Sequence, residues 1–178
     1  MITLNCISSA AWRMTIDEII AAKSDDDLYN LIACELEARL PPRQPIEGFV
    51  AAIQTLPPGL RAMAATYDLD VSLALDDLGW HFGNWHHVEL AHETIRGLRE
   101  LGADRMAEIF AGALEHAQRY WSELGSQNWL EWSPGSPLAT AVGPLTNEAY
   151  GIWEKQPQGL FSFWLSYARR CPGKLIHG

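Results

Sequence analysis

Cysteine is scarce in this chain and carries no pattern. Cys6, Cys34 and Cys171 are the three in 178 residues, far apart and without a CxxC pair. That spacing predicts free thiols in a reducing cytosol rather than a disulfide framework. Base is in short supply too: 13 Lys and Arg stand against 22 Asp and Glu, a formal charge of −9. Bases so few, and so mixed with acids, predict no direct nucleic-acid binding. Apolar runs long enough to span a bilayer are missing, which predicts no membrane association. The opening MITLNCISSAAWRMTIDEII has no basic stretch leading into an apolar one, so no secretory signal is read and a cytoplasmic location is expected. A GxSxG elbow and a glycine-rich phosphate turn between strand and helix are also lacking. No catalytic residue, no cofactor and no enzymatic activity are therefore expected.

What is present is helical. Thr15 and Glu18 form a capping box ahead of TIDEIIAAK, each able to satisfy a free backbone N–H. Ser24 can cap DDDLYNLIACELEARL, whose Asp25, Asp26 and Asp27 fall where the helix dipole favours negative charge. Leu28, Leu31, Ile32, Leu36 and Leu40 give that helix one apolar face, and PPRQP stops it. IEGFVAAIQTL predicts a third helix, and from Leu60 a fourth begins. In VELAHETIRGLREL the apolar positions again fall three or four apart, and Gly102 is placed as a left-handed C-cap. Residues 103–124 carry the clearest stripe, from Met106 and Phe110 to Trp121 and Leu124. They predict a long central helix. GSQNWLEWSPGSPLATAVGPLT reads as one long surface loop pinned by Trp129, Leu130 and Trp132. Short helices NEAYGIWEK and GLFSFWLSYARR close the chain. No run alternates at period two. The fold class expected is all-α, an irregular bundle of about seven or eight helices in one domain, 1–178.

The densest chemistry lies in LGWHFGNWHHVELAHE, residues 78–93. A zincin needs HExxH on one helical face. HETIR supplies His92 and Glu93, but Arg96 occupies the second ligand position. A looser set, His81, His87, Glu89, His92 and Glu93, would have to converge for a metal-dependent hydrolase, and none of its spacings is a recognised ligand pattern. The plainer reading is a packed bend: Gly79 and Gly83 turn the chain between two helices while Trp80, Phe82 and Trp85 fill the junction. Asn84 would then cap the next helix.

The acids are unevenly placed. Residues 1–57 hold 8 acids and 4 bases, residues 58–124 hold 11 and 5, and residues 125–178 hold 3 and 4. A solvated acidic surface explains most of this. A local cluster can also attract a basic protein, and the candidates for such contact are Asp25, Asp26, Asp27, Asp68, Asp70, Asp76 and Asp77. The aromatic tail, Trp129, Trp132, Trp153, Phe161, Phe163 and Trp164, offers a different surface, for a homodimer or an immunity-type partner. Completion of the core is the competing explanation for those rings.

The order of features resembles a known family. LPPGLRAMAATYDLDVSLALDDLGWHFGNW, then AHETIRGLRELGADRMAEIFAGALEHA, and finally FWLSYARRCPGKL are similar to a bacterial DNA-mimic-protein-like family of domains of unknown function. Its named member binds a transcription factor. Gly79, Trp80, Phe82 and Asn84 match the family's glycine and aromatic-Asn region, and Leu101, Gly102 and Ala103 match its helix end. Here LGWHFGNW replaces the family's Asn-Gly-Gly-Phe. The resemblance covers roughly residues 57–175 and leaves 1–56 as an N-terminal helical extension. It implies a helical fold and a non-enzymatic role, with carboxylates presented to a basic DNA-binding or nuclease partner.

Overall fold

The computed structural model describes residues 13–124 and 135–177, and these are helical throughout, with no strand among them. The elements are α1 (Ile16–Ala21), α2 (Asp25–Arg39), α3 (Ile46–Gln54), α4 (Pro58–Leu75), α5 (Leu78–Asn84), α6 (Val88–Glu100), α7 (Asp104–Gln118), α8 (Trp121–Leu124), α9 (Pro137–Trp153), α10 (Phe161–Arg170) and α11 (Gly173–Ile176). Eight of them run seven residues or more. The all-α expectation holds. Cys6, Trp129, Leu130 and Trp132 lie outside the described residues.

Local signals set most boundaries. Thr15 and Glu18 close a reciprocal capping box on α1, and Ser24 closes a second with Asp27 on α2. Gly102 ends α6 at φ +82°. There Gly102 N–H donates to Arg99 O and Ala103 N–H to Leu98 O, the paired bonds of a Schellman stop.

Two expectations about length fail. The stripe over 103–124 is not one helix. After Ala117 the backbone tightens to three-residue bonds, Arg119 N to His116 O and Tyr120 N to Ala117 O, before α8 restarts. His86 stacks on Trp121 at 4.3 Å and donates from Nε2 to its carbonyl at 2.5 Å, holding the displaced turn. The predicted loop is also half helix. Ser136 accepts from Ala139 N, Pro137 occupies the first turn, and α9 continues through Pro144 to Trp153. A proline at that point removes a bond that the remaining four turns and their packing on α7 outweigh.

The centre of the bundle is α4 rather than the 103–124 segment. It touches α2, α3, α5, α6, α9, α10 and α11, most extensively α6. The approach to α6 is close because Gly97 faces Ala62: a Cβ at Gly97 would come within 2.8 Å of Ala62 O. Thr94 Oγ1 also donates across to Ala65 O at 2.8 Å. Along α4 the core divides into two apolar clusters. One joins Ile19, Leu28, Ile32, Phe49 and Leu60 to Trp164, Leu165 and Leu175. The other joins Leu69, Leu73, Phe82, Leu98, Phe110, Leu114 and Val142. Residues before α4 are therefore tied to the last helices of the chain. Met14 N–H donates to the buried Glu35 at 2.8 Å, and Arg169 pairs with Asp25 at 2.7 Å.

The cysteines depart from expectation. Cys34 is disulfide-bonded, while Cys171 is a free, half-buried thiol. Spacing in sequence does not report distance in space, so the free-thiol argument for a reducing compartment fails at Cys34. Among the described residues no helix is long and apolar enough to cross a membrane.

Candidate functional site

The expected bend is present, but the glycines do not make it. Leu78–Asn84 is a short helix, α5, with both Gly79 and Gly83 inside it. The chain turns at Asp76–Asp77 and again at Trp85–His87. Asp77 starts α5 as N-cap, its side chain accepting from Trp80 N at 2.7 Å. Asn84 closes it, donating from Nδ2 to Trp80 O at 2.9 Å. The cap of α6 is therefore not Asn84 but His87, whose Nδ1 accepts from Leu90 N at 3.2 Å. The aromatic filling is as expected: Phe82 is fully buried against Phe110, with centroids 5.1 Å apart. Trp85 packs on the first core cluster, and Trp80 is half-buried.

Of the five residues of the metal hypothesis, Glu89, His92 and Glu93 lie together on α6, with Arg96 bridging the two carboxylates, while His81 and His87 are engaged elsewhere. His81 is buried between Phe82 and Phe110, its Nδ1 2.8 Å from Ser72 Oγ. The Ser72 hydroxyl also reaches Asp68 O at 2.6 Å, so His81, Ser72 and the Asp68 carbonyl form one buried hydrogen-bonded group. Burial lowers the His81 pKa to about 3, which keeps the ring neutral. His87 is committed to its cap. His92 is half-exposed, 3.8 Å from Glu89.

Glu93 is buried beneath two guanidiniums. Arg61 reaches it through Nε at 2.8 Å and Nη2 at 2.6 Å, Arg96 through Nη2 at 2.6 Å, and Gln54 Nε2 at 3.0 Å. Burial alone would raise its pKa, but these hydrogen bonds, led by Arg61, hold it at about 2. Among the described residues no group of three or more His, Cys, Asp or Glu is arranged to hold a metal.

The seven candidate aspartates separate by environment. Asp68 and Asp70 are 4% and 6% exposed, so neither can present a carboxylate to a partner. Asp68 Oδ1 accepts from Arg43 Nε at 2.8 Å, while its Oδ2 is buried without a partner. Burial raises its pKa to about 6 against the pull of Arg43. Asp70 Oδ1 accepts from Trp153 Nε1 at 2.7 Å and Leu160 N at 2.6 Å, fixing the turn between α9 and α10. Asp27 is spent on its capping box and Asp25 on Arg169. Asp26 is exposed.

Asp26, Asp76 and Asp77 remain, the last two at the corner between α4 and α5. Burial raises the Tyr150 pKa, and the negative charges of Asp77, Asp76 and Glu154 raise it further. Tyr150 donates its hydroxyl proton to Asp76 O. Asp76 is itself raised, first by burial and then by Asp77. Neither aspartate nor Glu154 has a cation within ion-pair distance among the described residues. Beside them Leu75 is 68% exposed, unusual for a leucine in this protein. Sequence reading missed Tyr150 and Glu154, because α9 brings them to the corner from more than 70 positions away.

The aromatic tail is mainly structural where it is described. Trp164 is buried and donates from Nε1 to Thr66 Oγ1 at 2.9 Å. Phe161, Phe163 and Trp153 pack half-buried against the core.

Comparison with known proteins places this geometry in context. The family of DMP19-like proteins matches residues 54–156. No curated protein and no solved structure matches the chain. The matched span is more than half of the 178 residues, and it runs from the end of α3 through α9. It therefore contains α4, the bend, the buried aspartates and the whole acidic corner. The chain belongs to the DMP19-like protein family.

Proposed function

We propose that this protein is a non-enzymatic interaction module whose acidic corner captures a basic protein, of the DNA-binding or nuclease kind. One observation carries the reading: Tyr150 of α9 bonds the Asp76 carbonyl and so brings the end of that helix, with Glu154, to the corner of Asp76 and Asp77, none of which has an ion-pair partner among the described residues, while Asp68 and Asp70 are buried and Asp25 is paired with Arg169. Like charges held together destabilise one another. An arrangement that keeps them together gains from a cationic partner. The DNA-mimic character of the family supports the same direction.

Charge matching at such a corner acts mainly on encounter. It steers a basic surface inward and loses strength as salt shortens the screening length. The net charge of −9 is spread over the chain, so a local patch rather than the whole surface would imitate phosphates. The experiment is capture from lysate of the native host, with the wild-type protein beside an Asp76→Asn, Asp77→Asn, Glu154→Gln variant. Asn retains the capping oxygen at position 77. Capture that weakens at high salt and is lost in the variant is the expected result. Capture unchanged in both arms removes the proposal.

A further inference from the structure

Between α4 and α6 lies an open cleft of about 220 Å³, lined by Leu56, Pro58, Arg61, Ala62, Glu93, Arg96, Gly97 and Glu100. Its charges are partly committed. Glu93 is saturated: Oε1 accepts from Arg61, Arg96 and Gln54, and Oε2 from Arg61 Nε. Glu89 Oε1 takes a further bond from Arg96 at 2.6 Å. This network explains why the two guanidiniums are held still, and as a clamp joining α3, α4 and α6 it needs nothing more.

The remainder is what the clamp does not use. Arg61 Nη1 and Arg96 Nε and Nη1 have no acceptor among the described residues. Across the same opening, Glu100 accepts from the Tyr167 hydroxyl with Oε1 and leaves Oε2 uncommitted. Arg96 and Glu100 are four apart on α6, a spacing at which opposite charges ordinarily pair. They do not pair here, because Arg96 is turned towards Glu89 and Glu93. Donors and acceptor thus stay apart, above a floor of Leu56, Pro58, Ala62 and a residue without a side chain, Gly97.

We infer that this cleft is a binding site for a small zwitterion of the α-amino-acid class. The fixed guanidinium N–H groups of Arg61 and Arg96 take the carboxylate, and Glu100 takes the ammonium. Guanidinium N–H groups recognise carboxylates through charge-assisted bonds, and because Glu93 takes the paired edge of Arg61 each arginine contributes single N–H contacts here. The two arginines are balanced by Glu93 and Glu89, so the cleft has no excess positive charge to favour a bare anion. The uncommitted Glu100 oxygen disfavours one further. The volume lies below the usual range for drug-sized ligands, roughly 300–1,000 Å³, and the apolar floor suits a short side chain. The inference stands apart from the acidic corner, which lies at the other end of α4.

Calorimetric titration of the full chain with L-alanine, propionate and ethylamine tests it. Propionate carries only the carboxylate and ethylamine only the ammonium. L-alanine should bind, with each single-charge probe weaker by about tenfold or more. Arg96→Gln leaves Glu93 paired with Arg61, and Glu100→Gln leaves an oxygen for Tyr167. Each variant should weaken L-alanine binding by about tenfold while keeping the wild-type helical circular dichroism. No saturable heat with L-alanine up to about 10 mM overturns the inference, as does binding that propionate matches or that Glu100→Gln leaves intact. Should a variant lose helicity, the three-probe comparison on the wild type decides by itself.

Discussion

Four aspartates lie within ten residues of one another, and burial divides them into two kinds. Asp68 and Asp70 face the interior of the bundle and are held by protein donors. Asp76 and Asp77, at the end of the same helix, have no ion-pair partner among the described residues: Asp76 is exposed, and Asp77 accepts the Trp80 N–H as the cap of α5. The residue type is the same and the sequence context is similar. Each does what its surroundings permit. In the interior a carboxylate is tolerated because it ties distant segments together, and at the corner it is tolerated because water solvates it. Only the second kind remains available to a partner.

That contrast can be broken experimentally. The largest effect is expected from Asp70→Ala, which strands the Leu160 N–H and the Trp153 indole N–H in the interior. A loss of about 3 kcal/mol in urea unfolding is expected, and a loss no larger than a surface substitution would erase the distinction. Gly159→Ala attacks the same lock from the other side. Gly159 sits at φ +55°, where a Cβ would overlap Trp153 Nε1 and Asp70 Oδ1. Unfolding free energy should fall by about 2 kcal/mol.

The acid range gives a test of the interior alone. His81 is lowered from 6.5 to about 3 and Glu93 from 4.5 to about 2. Their contributions are present above the unfolded values and are lost as pH falls, through 6.5 towards 3 for His81 and through 4.5 towards 2 for Glu93. Asp68 runs the other way. Raised from 3.8 to about 6, it favours the folded state below 3.8 and loses that contribution as pH rises through 6. Urea midpoints measured from pH 4 to 7 should therefore show Asp68→Asn gaining on the wild type as pH rises through that window. A constant difference between the two would refute the assignment. The smallest effect belongs to the corner. Asp76→Asn with Asp77→Asn should leave stability within about 0.5 kcal/mol of the wild type at neutral pH, read by thermal unfolding.

What was legible in the sequence was local. Thr15 with Glu18, Ser24 with its acids, and Gly102 act on neighbours within a few residues, and each does as its type predicts. The stripe from Met106 to Ala117 is buried as its spacing requires. The sequence reading fails where distant parts of the chain decide. His86 holds the turn that ends α7, a contact no stripe reveals. Pro144 and the surrounding Gly and Pro suggest a loop, yet packing against α7 keeps α9 helical. The site divides in the same way. Asp76 and Asp77 are found by counting acids, but Asp68 and Asp70 are counted with them because burial is invisible at that level. Tyr150 and Glu154 complete the corner only once α9 is folded against α5.

The ties between the first helices and the last have a consequence for synthesis on the ribosome. Leu28, Ile32 and Phe49 emerge early, yet Trp164, Leu165 and Leu175, which share their cluster, are translated more than a hundred codons later. Nascent α1–α3 must wait, with greasy faces unshielded, until α10 and α11 have been read. A ribosome pausing between those stretches would prolong that aggregation-prone interval.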